Sequence, residues 1–160
     1  MSNDRSIEPL MALLGQAERE RDQALAESRR GAEAQAAAEA QAEQLLNYRG
    51  EYEARFREQF SRSSSMDVMQ CYQGFMQRLT LAIDQQQRVV QHAKERVERL
   101  LQALREQEMR VASVRKLLER RLQELRLVAD RREQKQTDEF ASRAAWNRLS
   151  VASASASPVL

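Results

Sequence analysis

Proline is almost missing from this chain: of 160 residues only Pro9 and Pro158 are proline, one near each end. Between them nothing locks φ or removes a backbone donor, and only four glycines interrupt the chain (Gly15, Gly31, Gly50 and Gly74). Aromatic residues reach 5%. Turn signals this sparse argue against a β-sandwich, a βαβ array or a small enzyme built around a buried site. Cys71 is the single cysteine, so neither a disulfide framework nor a cysteine-based metal site is expected. Its apolar neighbours suggest a small buried hydrophobe. His92, the single histidine, has no Cys/His partners at zinc-ligand spacing and reads as solvated. No G-x-S-x-G elbow, P-loop or G-x-G-x-x-G motif occurs. Carboxylate pairs such as Glu106/Glu108 fall on a solvated face. Catalysis, a metal and a cofactor are therefore not expected.

Long apolar runs are missing too. No segment approaches the roughly 20 residues a membrane span needs, and the start, with Asp4 and Glu8, has no apolar stretch of signal-peptide length. A cytosolic protein with no membrane-spanning anchor is the expectation. An excess of charge is also absent: 26 basic and 24 acidic residues leave +2. Acidic residues accompany the basic ones throughout, so nucleic acid is not an expected partner.

What is present is a helix-forming mixture of alanine, glutamine, glutamate, arginine and leucine, with 31% charged residues. Residues 1–5 are expected to be disordered. Helical signal starts at Ser6, a candidate N-cap, with Glu8 and Pro9 in the first turn, and helix one spans 6–61. The serine cluster within 61–65 is the turn chemistry of the interior, giving a hairpin turn over 62–66. Asp67 opens helix two, which spans 67–147. A Ser/Ala tail over 148–160 has little to bury and is expected to be disordered.

Helix two carries the clearest repeat. Ile83, Val90, Val97, Leu104, Val111, Leu118 and Leu125 recur every seven residues. A more polar column accompanies them: Leu79, Gln86, Ala93, Leu100, Gln107, Val114, Arg121 and Val128. Such a repeat predicts left-handed supercoiling on a partner helix, and helix one supplies it. In an antiparallel pair, residues at one height have position numbers with a constant sum. The pairs Gln41/Gln86, Leu45/Ala82, Tyr48/Leu79, Tyr52/Phe75 and Phe56/Cys71 all add to 127. The midpoint falls between Ser63 and Ser64, inside the serine cluster. The fold expected is all-α, a long two-helix antiparallel coiled coil with an overhanging C-terminal helix. Leu10 lies level with Leu117, so an overhang of about 29 residues, near 40 Å, runs on to Trp146. Leu118, Leu122, Leu125 and Val128 mark one side of it, beside Arg120, Arg121, Arg126, Arg131, Arg132 and Lys135. Such a helix asks for a partner.

Three blocks resemble the flagellar export protein family FliJ. One is Gln44-Leu45-Leu46-Asn47-Tyr48-Arg49-Gly50-Glu51-Tyr52. Another is Tyr72-Gln73-Gly74-Phe75-Met76-Gln77-Arg78-Leu79, followed by Ala82-Ile83 and the run Gln85-Gln86-Gln87. The third is Arg131-Arg132-Glu133-Gln134-Lys135-Gln136-Thr137-Asp138-Glu139-Phe140-Ala141-Ser142-Arg143. In order, they cover roughly residues 7–146. The resemblance implies a non-enzymatic stalk and coupling component of flagellar type III export, supporting flagellum assembly and motility. Its implied partners are the hexameric export ATPase, the export gate protein FlhA and export chaperones. The implied place is the cytoplasm, peripheral at the inner face of the inner membrane. The implied gate-contact residues are Gln41, Leu45, Tyr48, Tyr52, Phe75, Leu79, Ala82 and Gln86, with Gln86 standing where relatives often carry histidine. The implied ATPase-ring residues are Arg131, Arg132, Glu133, Gln134, Lys135, Asp138 and Glu139.

Other readings stand beside these. The aromatic patch packs the hairpin seam, or presents an interface, or does both, with a tyrosine ring inward and its hydroxyl outward. The basic overhang is a solvated charged helix or an arginine-rich binding segment, since only Lys94, Lys116 and Lys135 among the 26 basic residues are lysine. The equivalent stalk of a virulence secretion system would share fold and mechanism, although the Tyr48 and Asp138 blocks favour the flagellar branch. A generic coiled-coil scaffold, or a membrane-surface helix over 110–128, is a reading of another class.

Overall fold

The structure is a computed structural model that describes residues 4–62 and 65–155, with side chains from residue 7 onward. Two helices account for nearly all of it: α1, Asp4–Arg62, and α2, Met66–Ala154. Among the described residues there is no strand and no positive φ. Near the end of α1, Ser61 Oγ donates to the Glu58 carbonyl (2.7 Å), and Arg62 closes the last turn, where a cation suits the helix dipole. The first bond of α2 runs from Met69 N–H to the Ser65 carbonyl (3.2 Å), with Asp67 in the first turn. The predicted turn centre, Ser63 and Ser64, lies outside the described residues, as do 1–3 and 156–160.

Two boundaries differ from expectation. α1 begins at Asp4 rather than Ser6, so Pro9 lies inside it, near enough to the end to cost only one backbone bond. α2 continues through residues 148–154 instead of ending at 147. Alanine has the highest helix propensity, and the serines here bond back to their own helix. Ser150 Oγ donates to Asn147 O (2.9 Å) and Ser153 Oγ to Ser150 O (2.8 Å). The hydroxyls of Ser150 and Ser153 are thus satisfied within the helix rather than competing with it.

The chain divides into two compact units, Gln16–Val111 and Met1–Gly15 with Ala112–Leu160. The first is an antiparallel helical hairpin. Along α1 the covered residues alternate by threes and fours: Ala17, Arg21, Ala24, Ser28, Gly31, Gln35, Ala38, Ala42, Leu45, Arg49, Tyr52 and Phe56. On α2 the matching series is Tyr72, Met76, Leu79, Ile83, Gln86, Val90, Ala93, Val97, Leu100, Leu104, Gln107 and Val111. This is the a/d seam of a heptad coil. We label the Ile83 column a and the Leu79 column d, and on α1 the Ala42 column a and the Leu45 column d.

Two of the predicted pairs touch, Tyr52 with Phe75 and Gln41 with Gln86, but the layers of the seam lie one residue away from the predicted register. Phe56 stacks on Tyr72 with ring centroids 3.6 Å apart, and Gly31 faces Val97; both pairs add to 128. In an antiparallel coil an a residue meets a d residue, so each layer takes one from each column. The sum of 127 mixed seam positions with their neighbours. With 128, Leu45 faces Ile83 rather than Ala82, and Phe56 faces Tyr72 rather than Cys71. Ala82 and Cys71 are consequently exposed, so Cys71 is not the buried hydrophobe expected.

Small residues of α1 meet large ones of α2: Ala17 faces Val111, Ala24 faces Leu104 and Ala38 faces Val90 in this register. Ile83 and Val111 are each only 3% exposed, and fully burying such a side chain contributes roughly 1.5–3 kcal/mol. Gly31 marks the tightest approach. A Cβ there would lie 2.6 Å from Leu100 Cδ1 and 3.6 Å from Val97 Cγ2. One layer is polar on both sides, Arg21 with Gln107. Arg21 donates to Asp22 Oδ1 through Nε (3.1 Å) and Nη2 (2.9 Å), while buried Gln107 Oε1 has no hydrogen-bond partner.

In the second unit Val114 is buried and Leu10, Leu14, Leu118 and Leu125 are half-buried. Beyond Leu125 every described residue except Ala144 is exposed. The overhang therefore begins near residue 126, later than predicted, and ends at Ala154. Stretch 110–128 was a candidate membrane-surface helix, but Val111 and Val114 on its apolar side are already covered.

Alanine substitution separates helix propensity from packing. A methyl group on Gly50 would meet nothing within 4 Å, so Gly50→Ala should raise stability to unfolding by about 1 kcal/mol. Gly31→Ala should lose that gain, because Leu100 must move. Gln107→Leu should stabilise by about 1 kcal/mol by removing an unpaired acceptor. Denaturant melts of the three variants check all of this.

Candidate partner-binding surfaces

Beside the seam, a heptad coil has two flanks: g positions border d, and e positions border a. In an antiparallel pair the g positions of both helices share one flank and the e positions share the other. Two ion pairs between helices obey this rule. Glu20 and Arg110, both g, pair on one side; Glu39 and Lys94, both e, approach to 3.9 Å on the other.

The residues implied for gate contact fall on a single flank. Leu45, Tyr52, Leu79 and Gln86 occupy d positions, and Gln41, Tyr48, Phe75 and Ala82 occupy g positions. Burial follows that division. Leu79 is 7% exposed and the other d residues are half-buried, whereas Gln41, Tyr48 and Ala82 are exposed and Phe75 is half-buried. As packing, then, half of this set builds the seam and half borders it.

Aromatic contacts knit the two halves together. Tyr52 and Phe75 have ring centroids 4.7 Å apart, as do Tyr48 and Tyr52, and Tyr48 meets Phe75 edge-on at 6.5 Å. Tyr48 Oη donates to Tyr52 Oη at 3.3 Å. That bond is the main reason the Tyr48 phenol titrates above its ordinary 10.0, with desolvation adding to it. Next to this cluster lies a groove of about 550 Å3, lined by Gln41, Gln44, Leu45, Asn47, Tyr48, Glu51 and Gln86. Across its end Gln86 Nε2 donates to the Ala38 carbonyl (3.0 Å) and to Gln41 Oε1 (3.3 Å), which satisfies a polar seam residue.

Gln44, Asn47 and Glu51 were absent from the sequence-derived set, although all belong to the Tyr48 block. Val89 was missed as well: it continues the g column of Phe75 and Ala82 and is 45% exposed. Heptad lettering of the sequence would have found it, but only after the register was fixed.

The residues implied for ring contact lie in the other unit. Arg131, Arg132, Glu133, Gln134, Lys135, Asp138 and Glu139 are all exposed. Spread over more than two turns, they cover several faces of α2 and do not converge on one point. Thr137 Oγ1 donates to the Glu133 carbonyl (2.9 Å). Among the described residues none of Arg131, Arg132, Lys135, Asp138 or Glu139 makes an ion pair. Phe140 (76% exposed) and Trp146 (74%) follow on the same helix.

Among the described residues no group of His, Cys, Asp or Glu is placed to hold a metal ion, and no helix is long and apolar enough to cross a membrane. A family model described as flagellar FliJ protein matches residues 6–150. The chain belongs to the FliJ family. Searches of curated proteins and of solved structures give no match. FliJ proteins are non-catalytic components of flagellar protein export, which makes this chain a type III export protein of the flagellum-building apparatus. Both surfaces described above lie within the matched span.

Loss of the hydroxyl pair is measurable by titration. Tyr52→Phe should bring the Tyr48 midpoint down toward 10.0, seen as phenolate absorbance appearing at lower pH. An unfolded tyrosine titrates near 10, so the contribution of neutral Tyr48 to stability is complete below that pH. It fades as pH rises through the raised folded value, and this alkaline loss should be largely absent in the variant, whose Tyr48 titrates close to the unfolded value.

Proposed function

We propose that this FliJ-family chain is a non-enzymatic stalk and coupling component of flagellar type III export. Its overhanging helical end binds the hexameric export ATPase, and the d/g flank at the turn end of the hairpin binds the export gate protein FlhA. Export chaperones are further partners in this reading, and membrane association is through partners, at the cytoplasmic face of the inner membrane. The observation that carries the proposal is the division of surfaces. Among the described residues the ring-contact residues are exposed and make no ion pair, on a stretch of α2 beyond Leu125 where every residue but Ala144 is exposed. The gate-contact residues gather on one flank of a hairpin that packs without them being wholly consumed.

The mechanism this supports is mechanical and allosteric. A helix that binds an assembled ring and not its separate subunits favours assembly by mass action. Arginine suits such a contact, since its planar fork pairs two carboxylate oxygens at once. On the d/g flank, half-buried Tyr52 and exposed Tyr48 offer a rigid apolar body with a polar tip, and tyrosine is among the side chains enriched as anchors at protein interfaces.

Truncation tests the ring contact. A chain ending after Leu125 keeps all the seam layers described above, so its melting should stay close to that of the full chain. It should nevertheless fail to capture the cognate export ATPase or to stimulate its hexamer assembly. Full-strength capture by the truncated chain would refute the stalk role. For the gate, Tyr48→Ala should weaken binding to the cytoplasmic region of FlhA by about tenfold or more, with helicity by circular dichroism unchanged.

A further inference from the structure

We infer that the groove beside Tyr48 recognises a segment bearing a lysine or arginine, with Glu51 as the carboxylate that receives it; this deepens the gate-binding reading and rests on it. Glu51 is exposed, lines the groove and is its only charged residue. No ion pair or hydrogen bond within the described residues engages it. Its neighbour in sequence behaves differently: Glu53, two residues on, approaches Arg49 at 4.0 Å on the e flank. One of these two carboxylates is thus taken up by the fold, and the other is left free at a concave surface. Gln44 and Asn47, also on the groove wall, make no side-chain hydrogen bond within the described residues either.

These groups define the ligand. Leu45 supplies the apolar floor. The free amides of Gln44 and Asn47 each offer two donors and an acceptor, which suits the backbone of an incoming polypeptide. The Tyr48 ring, 44% exposed, forms one wall for an aliphatic side chain. A segment that sets an apolar residue over Leu45 and a cation beside Glu51 satisfies each of them. An acidic segment is opposed by Glu51 itself, and like charge at an interface discriminates against wrong partners.

The test uses the full chain and the cytoplasmic region of the export gate protein, titrated calorimetrically at about 0.05 M and about 0.5 M salt. Glu51→Gln should weaken binding about two- to fivefold at low salt, and the difference should shrink toward nothing at high salt. Glu53→Gln removes the same charge from the other flank and should leave affinity within twofold. Equal weakening by both variants would mean a general charge effect and overturn the inference. Weakening by Tyr48→Ala with none from Glu51→Gln would also overturn it, leaving the gate reading intact. If neither Tyr48→Ala nor Glu51→Gln changes binding, both the inference and the gate reading fall. Helicity of all variants should match the wild type, since Glu51 holds nothing in the fold.

Discussion

Everything in the hairpin depends on two helices keeping a seven-residue repeat in step, with small side chains on one and large ones on the other. Ala17, Ala24, Gly31 and Ala38 leave room that Val111, Leu104, Val97 and Val90 fill. The arrangement tolerates little displacement. Shifting the register would set valine against leucine in some layers and alanine against alanine in others, exchanging overpacking for cavities. Near the turn the pattern changes to ring against ring, where Phe56 and Tyr72 lie within 10° of parallel. A stacked pair of that kind contributes about 0.5–1.5 kcal/mol beyond its buried area, and it anchors the register at the end where the chain reverses.

Much of this was legible in the sequence because heptad spacing is a direct image of which side chains are covered. None of the residues from Ile83 to Leu125 in the unbroken column is exposed. The antiparallel sense followed from symmetry of the pattern. What the pattern did not contain was the distinction between a seam residue and its flank neighbour. Both types can be apolar here, as Phe75 at a g position demonstrates, so apolar pairing alone gave a register wrong by one. That error had local consequences: it placed Ala82 and Cys71 inside when both are outside. Residues 148–154 differ from expectation for another reason. Low complexity and little apolar surface to bury argued for disorder, whereas each of Ser150 and Ser153 closes its bond three residues back within the helix. The candidate site was legible as a list of residues through family resemblance. Its geometry was not, because Gln44, Asn47 and Glu51 become groove walls only once Gln86 is brought opposite them.

The d/g arrangement bears on how such a hairpin can evolve a binding surface. Residues at d carry stability and residues at g carry exposure, and the two alternate along one flank. A partner that reads this flank senses the hairpin in its paired state, because the Tyr52–Phe75 contact and the Gln86 hydrogen bonds run between the two helices. Recognition of the folded pair is then built into the surface without any dedicated switch. The opposite flank carries Glu39, Lys94 and the Arg49–Glu53 pair, charges that already neutralise one another.

The overhang poses the contrary problem, since a helix without a seam must persist on local terms. Isolated helices are marginal mainly because nucleation is costly, and α2 avoids that cost by continuing from turns already fixed in the coil. Propagation then needs only good helix formers, which residues 126–154 largely are, helped by serine and threonine hydroxyls bonded back onto the helix. Such a segment keeps its helical form while leaving all its faces free. Stability contributed by the seam falls away past Leu125, so the far turns are the easiest part of α2 to unwind. A partner that closes around this end both uses the preformed helix and stabilises it, which links the affinity of the contact to the order of the last turns. The excess length of α2 over α1 is, on that account, what lets one chain combine a surface fixed by internal packing with another completed only by what it binds.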